Sequence, residues 1–347
     1  MSSQKRDAEL REKQPLLRED GQPDGPGYCK RNLYHYNKEN IRGARWRLKE
    51  WDYYQISDGR FMVQLNFFNI GVVSALSAEL CDLTTGERWS DAVLEPLTVG
   101  RNPLSGSADG PFLFEYRRGG RYGCFRTEGT TRTLVYEGTA KGKPFTVRLT
   151  AETQPEQESL TTVTPFRQKN CFYYTQKLNC MPCAGTVGYE GKAYTFERES
   201  TFMVMDWGRG VWPWRSSWYW ANGSTRLPDG KLFGFELTWG FGETGSAEAT
   251  ALFYDGKCHK LGRVYLERDP EKNGWMAPWH FLSEDGRLDL TMTPFFDHRA
   301  GVIVLWLVGM KSHQLHGRFN GHVVLDDGRR IEIKDMYAFA EKVHNCW

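Results

Sequence analysis

The stretch TALFYDGKCHKLGRVYLE, Thr250–Glu267, reads as two β-strands joined by a tight turn at Asp255-Gly256. An Asp-Gly pair is preferred in two-residue hairpin turns, because the turn requires positive φ angles that these residues tolerate. Apolar and polar residues alternate around the pair, as expected when every second side chain of a strand faces a core. The stretch therefore predicts an antiparallel β-hairpin.

The same pattern recurs along the chain, for example in WHFLSEDGRLDLTMTPFF, Trp279–Phe296. Other Asp-Gly pairs begin at Asp58, Asp109, Asp229, Asp285 and Asp327. Aromatic residues form 14% of the chain, which favours β-structure because flat rings pack well on pleated surfaces. Helical potential is confined to Tyr36–Tyr54 and to a short closing segment, Met336–Trp347. We therefore predict an all-β fold of antiparallel sheets, arranged as a sandwich or a barrel.

Two polar segments suggest how the chain is divided. Residues 1–27 are charged and then rich in Gly and Pro, so we expect a disordered or extended tail that buries little apolar area. The segment AETQPEQES, Ala151–Ser159, interrupts the strands. It suggests an N-terminal β-barrel-like half over residues 28–160 and a C-terminal one over residues 161–347.

Composition argues against several classes of partner. The 347 residues carry 45 basic and 43 acidic side chains, well mixed, so the charge distribution does not point to nucleic acid. The longest apolar run, Gly301–Met310, has about half of the roughly 20 residues that a membrane helix requires, which argues against stable membrane insertion. The N-terminus lacks the apolar core of a secretory signal. These features predict a cytoplasmic protein with free thiols.

Two motifs associated with metal or redox chemistry lack the context that such chemistry needs. Cys180 and Cys183 have the C-x-x-C spacing, but neither a second cysteine pair nor a helical pattern accompanies them. His313 and His316 stand three residues apart, which places them on opposite faces of a strand. The sequence also has no glycine-rich phosphate loop. We therefore predict no metal site and no cofactor.

The segment MDWGRGVWPWRSSWYWANG, Met205–Gly223, is the strongest candidate for a functional site. Its indoles predict a cavity wall with a few polar groups, the usual composition of a ligand pocket. Asp206 and Glu236 are the candidate acids, because burial beside indoles raises the pKa of a carboxyl group. Arg209 would fold back to hold Asp206 in place. The candidate ligand-binding residues are Trp207, Trp212, Trp214, Trp218, Tyr219, Trp220, Asn222, Trp239 and His313.

Three functions are compatible with these residues. In the first, a hydrophobic small molecule such as a lipid, an isoprenoid or a polyketide binds among the indoles, with or without acid-initiated hydration or cyclisation. In the second, the tryptophans stack on sugar rings, and Asp206 and Glu236 are the paired carboxylates of a carbohydrate-active protein. In the third, the protein is a non-catalytic scaffold in which Asp206 and Arg209 form a structural ion pair. The sequence does not decide whether the protein is an enzyme.

The tryptophan-rich segment also carries a family resemblance. Together with GFELTWGFGE, QKLNCMPCAGTV and the closing AEKVHNCW, it resembles the family known as domain of unknown function 2804. Matching blocks run in order from Gln14 to Trp347, so the resemblance covers nearly the whole chain. That family is in turn similar to the carotenoid hydratase and lipocalin-like cyclase group. The resemblance implies two calycin-type β-barrel halves around an apolar ligand cavity, but it transfers no catalytic residue to this chain.

Overall fold

Strands dominate the structure. The computed structural model describes residues 8–42, 45–99, 103–243, 247–304 and 308–347. Within these residues, strands account for 64% of the structure and helices for 3%. The described helical segments are the 3-10 turns Lys38–Asn40 and Arg45–Arg47 and the short helix α1, Pro270–Asn273. None of the described helices has the length and apolar character needed to cross a bilayer.

The part of the chain before residue 212 contributes fifteen described strands. They are β1 (Gln14–Pro15), β2 (Gly27–Cys29), β3 (Tyr34–His35), β4 (Leu48–Ser57), β5 (Phe61–Asn69), β6 (Val73–Asp82), β7 (Arg88–Pro96), β8 (Phe112–Arg118), β9 (Arg121–Glu128), β10 (Thr131–Ala140), β11 (Lys143–Glu152), β12 (Leu160–Pro165), β13 (Phe172–Tyr189), β14 (Lys192–Phe196) and β15 (Phe202–Val211). Strands β1 and β3 pair with each other, and the remaining thirteen form the first sheet. Its main path runs β7-β6-β5-β4-β15-β13-β11-β10-β9-β8, with β2, β12 and β14 pairing alongside.

Nine further described strands form the second sheet. They are β16 (Arg215–Arg226), β17 (Leu232–Trp239), β18 (Ala249–Tyr254), β19 (Lys257–Lys260), β20 (Val264–Leu266), β21 (Trp279–Ser283), β22 (Leu288–Val304), β23 (Val308–Val324) and β24 (Arg330–Cys346). Their order is β19-β18-β17-β16-β24-β23-β22-β21-β20, antiparallel throughout. One sheet is a nearly closed barrel and the other a half barrel, which confirms the predicted all-β class with two lipocalin-like halves.

The change from the first sheet to the second falls between Val211 and Arg215, well after the residue at which the sequence suggested a division. Residues 153–159, which prompted the division at 160, form the loop between β11 and β12. The chain then returns to the first sheet, because the long strand β13 pairs with β11 on one side and with β15 on the other. Such long-range pairing leaves no local mark in the sequence.

Parts of three segments pack differently from the sequence expectation. Residues 1–7 of the predicted tail lie outside the described residues, and the rest runs along the first sheet with Leu16 and Leu17 buried in its core. The closing segment with helical potential lies almost entirely in the strand Arg330–Cys346, because pairing with a neighbouring strand outweighs local propensity. The first segment is divided between the 3-10 turns Lys38–Asn40 and Arg45–Arg47 and the beginning of the strand Leu48–Ser57. Residues 305–307 of the longest apolar run lie outside the described residues.

Each sheet buries one face in its own core. On β15, Met203, Met205 and Trp207 point into the first core, as the strand alternation predicts. On β17, Phe235 and Leu237 point into the second core in the same way. The other face of each sheet points away from its own core. These two outer faces pack against each other.

This contact between the outer faces, which we call the seam, brings the two sheets within hydrogen-bonding distance. The side-chain amide of Asn179 on β13 donates to the carbonyl of Phe235 at 3.0 Å. A Cβ atom at Gly234 would lie 2.6 Å from the Sγ of Cys180. This glycine of β17 is therefore explained by close approach of the first sheet.

Candidate functional site

Three charged side chains meet in the middle of the seam. The Nζ of Lys177 on β13 lies 2.8 Å from Oδ1 of Asp206 on β15 and 3.6 Å from Oε1 of Glu236 on β17. The same ammonium lies 4.6 Å from the ring centroid of Trp220. Burial alone would lower the pKa of Lys177, but the two carboxylates outweigh it and raise this pKa above its ordinary value. Lys177 therefore stays charged and bridges the two sheets.

Among the residues that the structure describes, the carboxylate of Glu236 accepts three hydrogen bonds and forms one ion pair. Its Oε2 accepts hydrogen bonds from Trp220 Nε1 at 2.9 Å and from Asn222 Nδ2 at 2.8 Å. Its Oε1 accepts one from Thr238 Oγ1 at 2.6 Å, in addition to the contact with Lys177. Burial raises the pKa of Glu236, and these partners oppose the shift. With both oxygens engaged twice, the carboxyl has little freedom to contact a substrate.

A third carboxyl, Glu341 on β24, faces the seam; within the described residues it forms no ion pair, and Lys177 acts on it only from a distance. Its Oε1 accepts a hydrogen bond from Trp218 Nε1 at 3.2 Å, and its Oε2 accepts one from Gln314 Nε2 at 3.1 Å. Burial raises the pKa of Glu341 to about 7, because both of these donors are neutral and only partly compensate for lost hydration. The carboxyl therefore carries a proton for much of the time at neutral pH.

Burial is the main reason why a proton is retained, and the charge count of these four residues adds to it. Lys177 supplies one positive charge, whereas Asp206, Glu236 and Glu341 could supply three negative ones. Burying excess negative charge is costly, and a carboxyl group can avoid the cost by staying protonated. Lys177 contacts the carboxylates of Asp206 and Glu236, so the carboxyl of Glu341 has the least compensating positive charge. We call Lys177, Asp206, Glu236 and Glu341 the seam cluster.

The seam also contains accessible space. Tyr53, Asp206, Trp218 and Glu341 are each partly exposed. Their side chains belong to the faces through which the two sheets meet, as the ring contact between Tyr53 and Trp220, at 5.9 Å, illustrates. The acid with the raised pKa is thus bordered by aromatic rings and remains reachable.

A pocket of about 370 Å³ opens beside this space, and we call it the seam pocket. Tyr53 and Gln64 form one end, and the Gln64 amide donates to Oε1 of Gln314, which is itself bound to Glu341. The other end holds His298, whose Nε2 lies 2.5 Å from Oε1 of Glu79. Two amide side chains therefore connect the pocket with the seam acid.

Arg209 lies on the other face of β15. Its Nη2 is 3.0 Å from Oδ1 of Asp52 and its Nε is 3.7 Å from Oε1 of Glu50, all inside the first half. The expected contact with Asp206 is not formed, because residues three apart on a strand point to opposite faces. Asp206 is held by Lys177 instead.

The predicted ligand-binding aromatic residues are divided among several environments. Trp207 belongs to the first core, where its ring lies 5.0 Å from that of Tyr174. Trp239 belongs to the second core and stacks on Tyr219 at 4.9 Å. These three predicted residues are therefore core residues of separate halves.

The remaining predicted tryptophans lie in or near the seam. Trp212 and Trp218 pack against Phe241 at 4.9 and 5.2 Å, and Trp220 faces Lys177. Trp214 is 39% exposed. The structure thus brings Trp218, Trp220, Asn222, Asp206 and Glu236 together but leaves the other predicted residues outside the seam cluster.

His313 also lies away from the seam cluster. It stacks on Trp275 at 3.9 Å, pairs with Asp297 at 3.0 Å and borders a separate cavity of about 440 Å³. Within the described residues, no group of three or more His, Cys, Asp or Glu side chains could hold a metal ion. Cys180 and Cys183 fall in different hydrophobic clusters.

Sequence reasoning missed Lys177 and Glu341. The signal for Glu341 was present, since small residues at Ala338 and Ala340 alternate with Phe339 and Glu341 as in a strand. Strand alternation in CFYYTQKLN likewise places Lys177 on the same strand face as Tyr173. What the sequence could not show is that both side chains meet across two sheets.

Comparison with known proteins supports the fold and the family. A comparison with curated proteins finds no match. A crystal structure from Nitrosomonas europaea, provisionally assigned as AttH, is similar with a TM-score of 0.50 at 12% identity, covering 89% of this chain and 96% of that one. Kievitone hydratase from Nectria haematococca gives a TM-score of 0.46 at 11% identity, covering 86% and 88%. At such identity the first similarity shows a shared fold only.

The family assignment comes from the sequence itself. A family model described as a domain of unknown function, DUF2804, matches residues 7–347. The match spans every block that suggested the resemblance, from Gln14 to Trp347. This protein therefore belongs to the DUF2804 family.

Proposed function

We propose that this protein binds an unsaturated, largely apolar small molecule in the seam and adds a proton to it from Glu341. One observation carries the proposal: the carboxyl of Glu341 is buried enough for its pKa to reach about 7, yet it is partly exposed. A general acid works best when its pKa lies near the operating pH. Glu341 replaces Asp206 and Glu236 in this role, because Lys177 holds both of those carboxylates.

The reaction class that suits such an acid is hydration or cyclisation of a carbon–carbon double bond. The protonated carboxyl of Glu341 gives its proton to one carbon, and the adjacent carbon becomes a cation. A water molecule, or a hydroxyl group of the same substrate, donates an electron pair to that cation. The proton released by this oxygen returns to the Glu341 carboxylate, so that the acid is regenerated and no co-reactant is needed.

The surroundings of Glu341 suit a cationic intermediate. Trp218 donates its N–H to Glu341 and is partly exposed, and Tyr53 lines the seam pocket. A ring face stabilises a nearby cation by about 0.5–2 kcal/mol. The seam pocket, at about 370 Å³, is within the usual range for small ligands. The lining of this pocket is mostly polar, with Asn66, Asp91 and His298 among its residues, so it suits the hydroxyl or carbonyl substituents of the ligand, while the apolar part lies toward Tyr53 and Trp218.

The other members of the seam cluster act as positioning residues in this proposal. Lys177 contacts both Asp206 and Glu236 and offsets one of their two negative charges, which leaves Glu341, without such a contact, as the group that takes up a proton. Glu236 in turn orients Trp220 and Asn222 through hydrogen bonds. The cluster would thereby set the proton affinity of Glu341 without touching the substrate.

The geometry favours a small apolar molecule over a carbohydrate. Sugar-binding tryptophans present ring faces along an open groove, whereas Trp207, Trp212, Trp220 and Trp239 are all buried. Asp206 and Glu236 share one lysine, which does not suit a pair of hydrolytic carboxylates. If the tests below fail, the remaining candidate function is a non-catalytic scaffold.

Cytoplasmic location stays a prediction, to be tested by imaging the tagged protein.

The first test looks for the ligand. The protein is purified without detergent, and the small molecules that it carries are extracted and identified by mass spectrometry. We expect an unsaturated molecule with the wild type and its loss in Trp218→Ala, with retention in Tyr265→Ala, a control at an exposed ring outside the seam. A clean wild-type extract, together with no fluorescence change of N-phenyl-1-naphthylamine, would contradict the proposal.

The second test follows the proton. The extracted molecule is returned to stripped protein in D₂O, and deuterium incorporation at carbon is measured by mass spectrometry. We expect the Glu341→Gln variant to incorporate deuterium at least about 100-fold more slowly than wild type, the usual contribution of a general acid. Glu332→Gln, at an exposed carboxyl on the same strand, should match wild type. Equal incorporation by all three proteins would exclude Glu341 as the acid.

A further inference from the structure

A second concave surface lies outside the seam, at the end of β16, β23 and β24. This cleft has a volume of about 630 Å³, larger than the seam pocket and well within the range of ligand sites. Phe166, Pro213, Phe241 and Met310 contribute apolar surface to it. None of the residues of the seam cluster lines it. We call it the outer cleft.

The outer cleft combines this apolar surface with an excess of positive charge. Its lining includes Arg167, Arg215, Lys311 and the carboxylate of Glu243. Arg167 binds Glu243 at 2.8 Å, so these two charges cancel. Arg215 and Lys311 are exposed, and within the described residues neither forms an ion pair. Two positive charges are therefore available to a ligand.

Strand register places both cations on one side of the second sheet. Arg215 pairs with Cys346, and Lys311 pairs with His344, two residues away on β24. Because residues two apart on a strand point to the same face, the two side chains leave the sheet in the same direction. His344 between them is bound to Glu271. Residues 244–246 and 305–307, which adjoin cleft residues in the sequence, contain no acidic side chain.

We infer that the outer cleft binds a single amphiphilic anion at the end of the second sheet. Its acidic head lies beside Arg215 and Lys311, and its apolar body continues around the strand ends onto Phe241 and onto Met310, whose side chain leaves β23 on the opposite face from Lys311. An exposed ion pair contributes little by itself, but two cations flanking one carboxylate beside an apolar wall add charge-assisted hydrogen bonds. The site is separate from the proposed acid chemistry and does not depend on Glu341.

The test compares two ligands that differ only in charge. Decanoate and decanol compete with the fluorescent probe N-phenyl-1-naphthylamine for the full-length protein at low ionic strength. We expect decanoate to displace the probe at a concentration at least about tenfold lower than decanol. In the Arg215→Gln/Lys311→Gln double variant, decanoate should need the same concentration as decanol to displace the probe. Decanoate binding should weaken, and the affinity for decanol should not change. Tenfold corresponds to about 1.4 kcal/mol.

Matched controls separate this inference from general charge and from the seam. The Lys13→Gln/Lys192→Gln variant removes two exposed positive charges elsewhere and should bind both ligands like wild type. Glu341→Gln should also keep the preference, which distinguishes failure here from failure of the proposed acid. Equal competition by decanoate and decanol in wild type would overturn the inference. So would a preference that survives in the double variant or in Lys311→Glu.

Discussion

Two buried charge clusters lie on opposite faces of the same strand and differ in their balance. Inside the first half, Arg209 and Lys38 face Asp52 and Glu50, two positive charges against two negative ones. In the seam cluster, one lysine faces three carboxyl groups. Burial raises the pKa of Asp52 and of Glu341 alike, but Asp52 has Arg209 as a direct ion-pair partner, whereas Glu341 is bound by neutral donors. The comparison shows how a buried carboxyl without a cation in direct contact differs from a structural ion pair, and this difference is the one that the proposed function uses.

Breaking the balanced cluster should have the largest effect on stability. Arg209→Met leaves Asp52 buried without its cation, and removing one partner of a buried pair costs about 3–5 kcal/mol. We expect a loss in the upper part of this range, measured by urea unfolding at pH 7. The deuterium incorporation of the folded fraction should be retained. A loss below about 1 kcal/mol would show that the first half does not depend on this pair.

Removing the cation of the seam cluster should give a smaller and pH-dependent loss. Lys177→Met leaves three carboxyl groups without compensation at pH 8, whereas at pH 5 protonation relieves part of the repulsion. We expect the free energy of unfolding to fall by about 3 kcal/mol at pH 8, the lower end of the cost of breaking a buried ion pair, and by about half of this at pH 5, as measured by urea unfolding. Arg209→Met serves as the comparison, since its loss should vary less between the two pH values. Equal losses of Lys177→Met at both pH values would contradict the imbalance argument.

The proton on Glu341 should be visible as a pH dependence of stability. Its pKa is about 7 in the folded protein and 4.5 ordinarily, so the folded state binds more protons between these values. Stability should therefore fall as pH rises from about 4.5 to 7, by roughly 2 kcal/mol after allowance for partial exposure. In Glu341→Gln this component should be absent. An unchanged pH profile in the variant would mean that Glu341 is not the titrating group.

The smallest effect is expected at the edge of the balanced cluster. Lys38 contacts Glu50 at 3.2 Å, but its side chain is 42% exposed and Glu50 also accepts a hydrogen bond from Tyr36. Exposed ion pairs contribute about 0–1 kcal/mol. Lys38→Gln should therefore cost less than about 1 kcal/mol by urea unfolding at pH 7. A larger loss would mean that the balance of this cluster depends on its exposed member.

The local part of the fold was predictable from sequence. Hairpin turns such as Asp255-Gly256 and strand alternation indicate the all-β class. The same alternation places Met205 and Trp207 in the first core, away from Asp206, although Trp207 is among the ligand-binding residues predicted beside this acid. The position of the change of sheet was not predictable, because it depends on which distant strands β13 pairs with. Local patterns report which way a side chain points but not which sheet it will meet.

The site was predictable only in part, for the same reason. Expected burial beside indoles points to Asp206 and Glu236, and both carboxylates do contact the same Lys177. Lys177 was passed over because an isolated lysine in a strand gives no signal of its own. The alternation of Glu341 with Phe339 indicates a strand, but the residues of the same segment also favour a short helix, so the sequence does not single out this carboxyl.

Lys177 of the first sheet forms an ionic contact with Glu236 of the second sheet, and this contact bears on whether the two halves can exist as separate proteins. Each half presents to the other a face carrying buried charge and indole rings, which water would cover poorly if the partner were missing. Cutting the chain between Val211 and Arg215 would therefore yield two aggregation-prone fragments, each exposing a surface of indole rings and charged groups. Neither fragment is expected to fold as an independent domain. The two halves are expected to be inherited, expressed and unfolded as one cooperative unit.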